Sequence, residues 1–155
     1  MNANTQKLQA LGPGERNRLG IAIARRVYKA YRELLETARW QRLAAAGARP
    51  QRLLWGSTGT KDPAAPDTLY VEALAAPDTV DTVPEKTLQA FAEHGKVGVS
   101  MPLDGGDAEA VIAGARARGG DAAALAERLQ KEGADAFTKS WKSLLDAIAG
   151  KAASK

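Results

Sequence analysis

Apolar residues at three- and four-residue intervals dominate the first part of the chain. Between residues 14 and 36 they place one apolar stripe along a single helix face, while arginine and lysine occupy the opposite face. A second, shorter helix is predicted over residues 37–46, and it is expected to end at Gly47. The stripe of the first helix consists of Leu19, Ile23, Val27, Tyr31 and Leu34.

Two short runs farther along the chain predict strands. Arg52–Trp55 has the pattern of a buried strand that leads into a loop, and Asp78–Val83 is rich in β-branched residues. Helices are predicted at 68–75, between the strands, and at 84–94, after the second strand. Strands that alternate with helices form βαβ units with a parallel sheet. Because two strands neither close a barrel nor make a protected sheet, we expect the chain to be part of a larger fold.

Glycines divide the last third of the chain into further helices. Pairs or single glycines are typical breaks between helical segments. The spacing here predicts three helices, over residues 106–118, 121–132 and 134–149, separated by Gly119, Gly120 and Gly133.

Charge is spread unevenly over the 155 residues, whose net charge is +4. Residues 1–52 carry eleven basic against three acidic residues, whereas residues 53–155 carry eleven against fifteen. A basic first third fits either a polyanion partner or an internal match between the two parts of the chain. No nucleic-acid motif and no interleaved aromatic residues accompany the basic face, so an outer, solvated helix face is the favoured interpretation. The basic face consists of Arg18, Arg25, Arg26, Lys29 and Arg32.

Composition excludes several kinds of site. The chain has no cysteine, which rules out disulfides, thiolate metal sites and thiol nucleophiles. His94 is the only histidine, so no metal site is predicted, and its expected position is a helix C-terminus. No apolar run approaches the roughly 18 residues of a membrane span, and the N-terminus lacks a signal-peptide core. We therefore expect a cytoplasmic protein without metal or cofactor.

Several segments together resemble the transaldolase family, in the longer form found in bacteria. The resemblance covers about residues 8–150. The matching segments are GARPQRLLWGSTGTKDP at 47–63, DTLYV at 67–71, PDTVDTVPE at 77–85, NRLGIAIAR at 17–25 and FTKSW at 137–141.

The resemblance implies an α/β fold derived from a barrel. Transaldolases are (β/α)₈ TIM barrels, and the match lies in the C-terminal portion of the barrel. Residues 1–105 would then supply about two βα units, 106–150 a helical extension that packs on them, and 151–155 a disordered tail.

The resemblance also implies a chemistry and a missing part of it. Transaldolases transfer a dihydroxyacetone unit between sugar phosphates of the pentose phosphate pathway, such as fructose 6-phosphate and sedoheptulose 7-phosphate, through a lysine Schiff base. The strand that bears this lysine lies upstream of the matched region in the family, so we predict no catalytic residue here. Lys96 and Val97 look like its Lys-Val pair, but they fall in a loop after the last barrel helix. Nothing there predicts the burial or neighbouring cation that lowers the pKa of a Schiff-base lysine.

Candidate substrate contacts follow the two strands, where barrel active sites are built. Ser57, Thr58 and Lys61 offer hydroxyls, a backbone loop and a cation, which are the donors that a phosphate needs. From the spacing alone, a glycine-bearing turn with an exposed lysine is favoured, and the family resemblance reverses that preference. Asp81 and Thr82 end the second strand, where substrate contact and a simple strand-end turn are equally expected. Asp81 stands where the family usually has asparagine.

Three hypotheses follow for function. The first is a transaldolase-family chain that represents the C-terminal part of the enzyme and is inactive alone. The second is a non-catalytic interaction or complementation module, with an N-terminal barrel partner or with self-association. The third is a basic polyanion-binding helical protein.

Overall fold

The computed structural model describes residues 13–153 of the chain. Helices dominate, and the two strands form one small sheet. Within these residues no helix is both long and apolar enough to span a bilayer. In chain order the elements are α1 (Pro13–Glu36), α2 (Ala38–Ala45), β1 (Leu53–Trp55), α3 (Leu69–Ala73), β2 (Thr79–Asp81), α4 (Glu85–His94), α5 (Ala108–Ala117) and α6 (Ala122–Ala153).

The two strands are parallel neighbours joined by a crossover that contains α3. Leu53 pairs with Thr79, and Trp55 pairs with Asp81. Side chains alternate between the faces of a strand, so Leu54 and its partner Val80 share one face, where they are 54% and 37% exposed. The parallel βαβ unit predicted from the sequence is confirmed, and one of its sheet faces is uncovered.

Two apolar clusters hold residues 13–119 together. In the first, Leu19 and Ala22 of α1 pack against Ala108, Ile112 and Ala115 of α5. Small residues on both helices allow this close contact between α1 and α5.

The second cluster connects α1 to the sheet. Tyr28 is fully buried against Trp55, Leu74 and Met101. Its hydroxyl donates to the Pro77 carbonyl at 3.2 Å, and Trp55 Nε1 donates to the Leu74 carbonyl at 3.0 Å. Both large aromatic side chains therefore satisfy their polar atoms while they are buried, as buried tyrosine and tryptophan generally must.

The apolar stripe predicted for α1 is only partly correct. Val27 is 41% exposed and Leu34 is 60% exposed, whereas Tyr28, outside the predicted stripe, is fully buried. The reason is that α1 packs against two different partners, α5 near its start and the sheet farther along, so one straight stripe does not describe its buried face.

The residues after Gly119 form a second compact unit, and its described part, residues 120–153, consists of the single helix α6. Asp121 caps it, because its Oδ1 accepts from the backbone N–H groups of Ala123 and Ala124 at 3.0 and 3.1 Å. The predicted break at Gly133 is wrong: α6 runs through it. One glycine costs a helix about 1 kcal/mol relative to alanine, which long helix-forming flanks outweigh. Of the predicted disordered tail, residues 151–153 continue α6, and residues 154–155 lie outside the described part.

Candidate functional site

Thr82 joins the carboxyl ends of the two strands. Its backbone N–H and its hydroxyl both donate to the Trp55 carbonyl, at 3.1 and 3.0 Å. The hydroxyl oxygen in turn accepts from the Ser57 N–H at 2.6 Å, and the Thr82 carbonyl accepts from the Thr58 N–H at 3.3 Å. Four contacts of one residue thus fix the start of the loop after β1. The structure brings Ser57, Thr58 and Thr82 together at this strand end.

Thr58 and Asp81 form a polar pair beneath that strand end. Thr58 is only 4% exposed, and Asp81 is half-buried. Burial raises the pKa of the Asp81 carboxyl, and the nearby Thr58 hydroxyl and Thr82 backbone N–H lower it in part. Asp81 Oδ1 and Thr58 Oγ1 nevertheless lack a well-aligned hydrogen bond within the described residues. The Thr58 hydroxyl therefore faces the interior of the protein rather than solvent.

The loop between Ser57 and Lys61 leaves several donors unused. Ser57 has a left-handed backbone (φ 51°) and an exposed side chain. This conformation is uncommon for residues other than glycine, and residues that adopt it occur often at functional sites. Within residues 13–153 the backbone N–H groups of Gly59, Thr60 and Lys61 donate to no acceptor. Consecutive free N–H groups are the means by which loops bind anions.

Packing on the inner side of this loop is tight at Gly59. A Cβ atom there would lie 3.0 Å from Pro84 Cγ and 3.6 Å from Thr87 Oγ1. The start of α4 therefore supports the loop from behind, and a side chain at this position would push the loop outward.

Lys61 lines an open pocket of about 460 Å³ together with Asn17, Asp62, Pro63 and Tyr70. The lysine is exposed and makes no ion pair with any described carboxylate. Neither Ser57 nor Thr58 lines this pocket. The predicted phosphate contacts thus lie at the two ends of one loop: Ser57 and Thr58 at the strand end, and Lys61 beside a pocket on the side of α1.

Asn17 and Tyr70 are polar residues of this pocket that the sequence patterns did not single out. Tyr70 donates from its hydroxyl to Asn17 Oδ1 at 3.1 Å, and Asn17 Nδ2 donates to Asp62 Oδ2 at 3.1 Å. Both residues lie in segments that match the family, but the apolar periodicity assigns them no role. Their signal is the joint occurrence of polar groups on two helices, which only the folded chain brings together.

His94 lies opposite the far end of the same loop. Its Nε2 is 2.9 Å from Asp67 Oδ1, and Thr60 Oγ1 donates to the Asp67 carbonyl at 3.3 Å. The hydrogen bond to Asp67 raises the pKa of His94, and the same bond lowers the pKa of Asp67. His94 ends α4, as the sequence predicted. Among the described residues no three carboxylate or histidine side chains come together as a possible metal site.

Lys96 lies in the loop after α4 and is exposed. Its backbone N–H donates to Glu72 Oε1 at 3.0 Å, and the residue lines a largely apolar pocket of about 400 Å³ that also contains Asp81. The exposed side chain lacks the burial that a Schiff-base lysine needs.

Carboxylates pair with the basic face of α1. Arg18 and Arg25 both contact Asp107, and Arg26 makes a two-point contact with Glu109. Arg32 contacts Asp78, and Lys29 contacts Glu33 within α1. These pairs favour the internal match between the two parts of the chain over a free polyanion-binding face.

The chain matches a family model described as Transaldolase/Fructose-6-phosphate aldolase over residues 1–148. It is 51% identical over 145 residues to "Transaldolase" of Parafrankia sp. (strain EAN1pec), covering 93% of this chain and 38% of the relative. It is 47% identical over 135 residues to "Transaldolase" of Thermobifida fusca (strain YX), covering 86% of this chain and 37% of the relative. It is 46% identical over 154 residues to "Transaldolase" of Arthrobacter sp. (strain FB24), covering 96% of this chain and 42% of the relative. The chain thus spans about two fifths of the length of these relatives, in their C-terminal portion.

Proposed function

Because the chain belongs to the transaldolase/fructose-6-phosphate aldolase family, we propose that it supplies the phosphate-binding end of a transaldolase site. The observation that carries this proposal is the loop from Ser57 to Lys61. It combines an exposed hydroxyl, three unused backbone N–H groups and an unpaired ammonium group. Charge-assisted bonds from such groups are the strongest contacts that a protein offers to phosphate.

The residues of this end have different roles in the proposal. The Ser57 hydroxyl and the Lys61 ammonium contact the phosphate of a sugar such as fructose 6-phosphate or sedoheptulose 7-phosphate. The buried Thr58 and the strand-end Thr82 shape the loop that presents them. Asp81 lies on the face of β2 opposite the exposed Val80, so its part in the proposal is structural support rather than substrate contact.

The fold in the proposal is part of a (β/α)₈ barrel. Residues 1–105 correspond to about two βα units, and residues 106–150 correspond to a helical extension. Two observations support this: the parallel β1–β2 pair, and the exposed face with Leu54 and Val80, which the remaining strands of a closed barrel would cover. The partner in the proposal is therefore a polypeptide equivalent to the N-terminal part of the relatives. Self-association through the same face is the alternative.

The whole reaction, by contrast, is not proposed for this chain alone. The dihydroxyacetone transfer of the pentose phosphate pathway needs a buried lysine that forms a Schiff base, and the lysine that resembles it, Lys96, is exposed. We propose that the chain binds sugar phosphate, in the cytoplasm, without metal or cofactor and without turning substrate over. A complementation module is the second candidate function, and the uncovered sheet face favours it.

A phosphate titration tests the proposed binding. The amide NMR spectrum of the full chain is followed during addition of fructose 6-phosphate, with unphosphorylated fructose as the ligand control. Shifts should concentrate on residues 57–61, and Lys61→Ala should weaken binding about tenfold, which corresponds to about 1.4 kcal/mol. Lys139→Ala, an exposed lysine on α6, is the matched control. Equal shifts with fructose, or equal losses in both variants, would refute the proposal.

A mixing experiment tests the complementation candidate. The N-terminal three fifths of the Parafrankia relative is expressed separately and added to this chain. Transfer of the three-carbon unit from fructose 6-phosphate to an aldose phosphate should rise above the activity of either piece. Activity that stays at the background of the N-terminal piece, despite co-elution of the two, would count against this candidate.

A further inference from the structure

A chain of polar contacts lies beneath the pocket of Lys61 and joins three elements. Asn17 of α1 contacts Tyr70 of α3 and Asp62 of the loop, at 3.1 Å in both cases. Gly20 lies beside this arrangement, and a Cβ atom there would be in ordinary van der Waals contact with the Tyr70 hydroxyl oxygen, at 3.4 Å. Asn17 and Tyr70 are both half-buried, so these contacts are shielded in part from water.

The contacts occupy both oxygens of the Asp62 carboxylate. Oδ2 accepts from Asn17 Nδ2, and Oδ1 accepts from the Ala64 N–H at 3.0 Å. Asp62 is the sequence neighbour of Lys61, yet it makes no ion pair with it within the described residues. The carboxylate is held by α1 and by its own turn, and the adjacent ammonium group remains available.

Loss of this restraint would place a carboxylate where phosphate is expected to bind. An unrestrained Asp62 side chain can turn toward the ammonium group of its sequence neighbour Lys61, because the two opposite charges attract each other. It would then compete with phosphate for the cation and repel the phosphate charge. Tyr70 supports the restraint because its hydroxyl donates to Asn17 Oδ1. Burial, and after it the Asp62 charge, raise the pKa of this hydroxyl.

We infer that Asn17 and Tyr70 are positioning residues that hold Asp62 away from Lys61 and so keep its ammonium free for the phosphate of the substrate. This inference rests on the proposed phosphate-binding function. It gives α1, which precedes both strands in the sequence, a role in keeping the Lys61 ammonium of the binding loop available. Asn17 acts through Asp62 and touches no substrate.

A rescue experiment on the full-length chain tests the inference. Binding of fructose 6-phosphate is measured by calorimetry for the parent chain, Asn17→Ala, Asp62→Asn and the double variant. Asn17→Ala should weaken binding about two- to fivefold, the range of exposed charge pairs. The double variant should bind within about twofold of Asp62→Asn, because an amide at position 62 no longer competes for the lysine. An equal loss from Asn17→Ala in both backgrounds would overturn the inference.

A second readout separates this inference from the proposed function. Acylation of the Lys61 amine by a water-soluble active ester is measured by peptide mass spectrometry, without any phosphate. Asn17→Ala should slow labelling at Lys61 about two- to fivefold relative to Lys139, and Asp62→Asn should restore it. If the parent chain binds no phosphate, the proposed function fails, and labelling still decides the positioning role. Unchanged labelling in a variant with a normal melting temperature would overturn the inference, as would slowed labelling that Asp62→Asn does not restore.

Tyr70→Phe probes the same restraint from the other end. It removes only the hydroxyl that donates to Asn17 and keeps the ring in place. We expect a smaller loss of labelling and of phosphate affinity in the same direction as Asn17→Ala. An effect of opposite sign on either readout would contradict the proposed direction of the restraint.

Discussion

Replacement of Thr82 by valine tests whether the strand-end contacts hold the candidate binding loop. Valine has nearly the same shape but no hydroxyl, so the change removes two hydrogen bonds. These are the bond to the Trp55 carbonyl at 3.0 Å and the bond from the Ser57 N–H at 2.6 Å. The backbone bond from Thr82 to Trp55 is unaffected. The perturbation therefore acts on the connection between β2 and the start of the loop.

The expected magnitude follows from these contacts. Each neutral hydrogen bond contributes about 0.5–1.5 kcal/mol to stability. In the variant the Trp55 carbonyl still accepts from the Thr82 backbone N–H. Because Thr82 is exposed, water can replace part of the lost bonding. We therefore expect a loss of about 1–1.5 kcal/mol in the free energy of unfolding. The left-handed conformation of Ser57 costs about 1 kcal/mol or more. The lost bond to its N–H is of similar size, so phosphate affinity should also fall severalfold.

Urea unfolding followed by tryptophan fluorescence measures the effect. Thr82→Ser, which keeps the hydroxyl, should recover most of the loss. Thr138→Val is the matched control, because the Thr138 hydroxyl is exposed on α6 and donates only to the Ala134 carbonyl of its own helix. We expect a change below about 0.5 kcal/mol there. If Thr82→Val is no more destabilising than Thr138→Val, the strand-end contacts do not hold the loop.

The remaining predictions concern the core and the loop's acid–base pair. Trp55→Ala should lower the free energy of unfolding by about 3–5 kcal/mol, whereas Trp141→Ala, 60% exposed, should change it by less than about 0.5 kcal/mol; equal effects would contradict the assigned core. In an NMR titration, Asp67→Asn should lower the pKa of His94 toward its ordinary value. The His94–Asp67 contribution to stability should be lost as pH rises through the raised pKa of His94, and also as pH falls through the lowered pKa of Asp67. A His94 titration that is the same in both proteins would rule this pair out in solution.

The local pattern predicts the helices and strands well because it depends on neighbours in the sequence. Alternation and turn residues place β1, α3, β2 and α4 within about two residues of their observed ends, as expected for element ends. Gly133 shows the limit of this reasoning, since a glycine is only a modest cost that a long helix can absorb. A rule that uses only the neighbouring residues predicts a helix end at Gly133, whereas α6 continues through it.

The candidate site was only partly predictable. Ser57 and Lys61 follow a strand and could be named from the sequence. Asn17 contacts Asp62, which lies 45 positions away in the sequence, and Tyr70, which lies 53 positions away. No local sequence pattern reveals contacts between residues so far apart. For Thr82 the sequence predicts substrate contact and a strand-end turn equally, and its hydrogen bond to the Trp55 carbonyl, 27 positions away in the chain, is likewise beyond any local pattern.

A trapping experiment tests the central claim, that this chain binds the phosphate but lacks the covalent chemistry. The intact mass of the chain is measured after incubation with fructose 6-phosphate and borohydride, which reduces any Schiff base to a stable adduct. We predict that the mass is unchanged at ligand concentrations that saturate the shifts at residues 57–61. A stable adduct of a three-carbon unit, mapped to Lys96 or to any other lysine of this chain, would contradict the account.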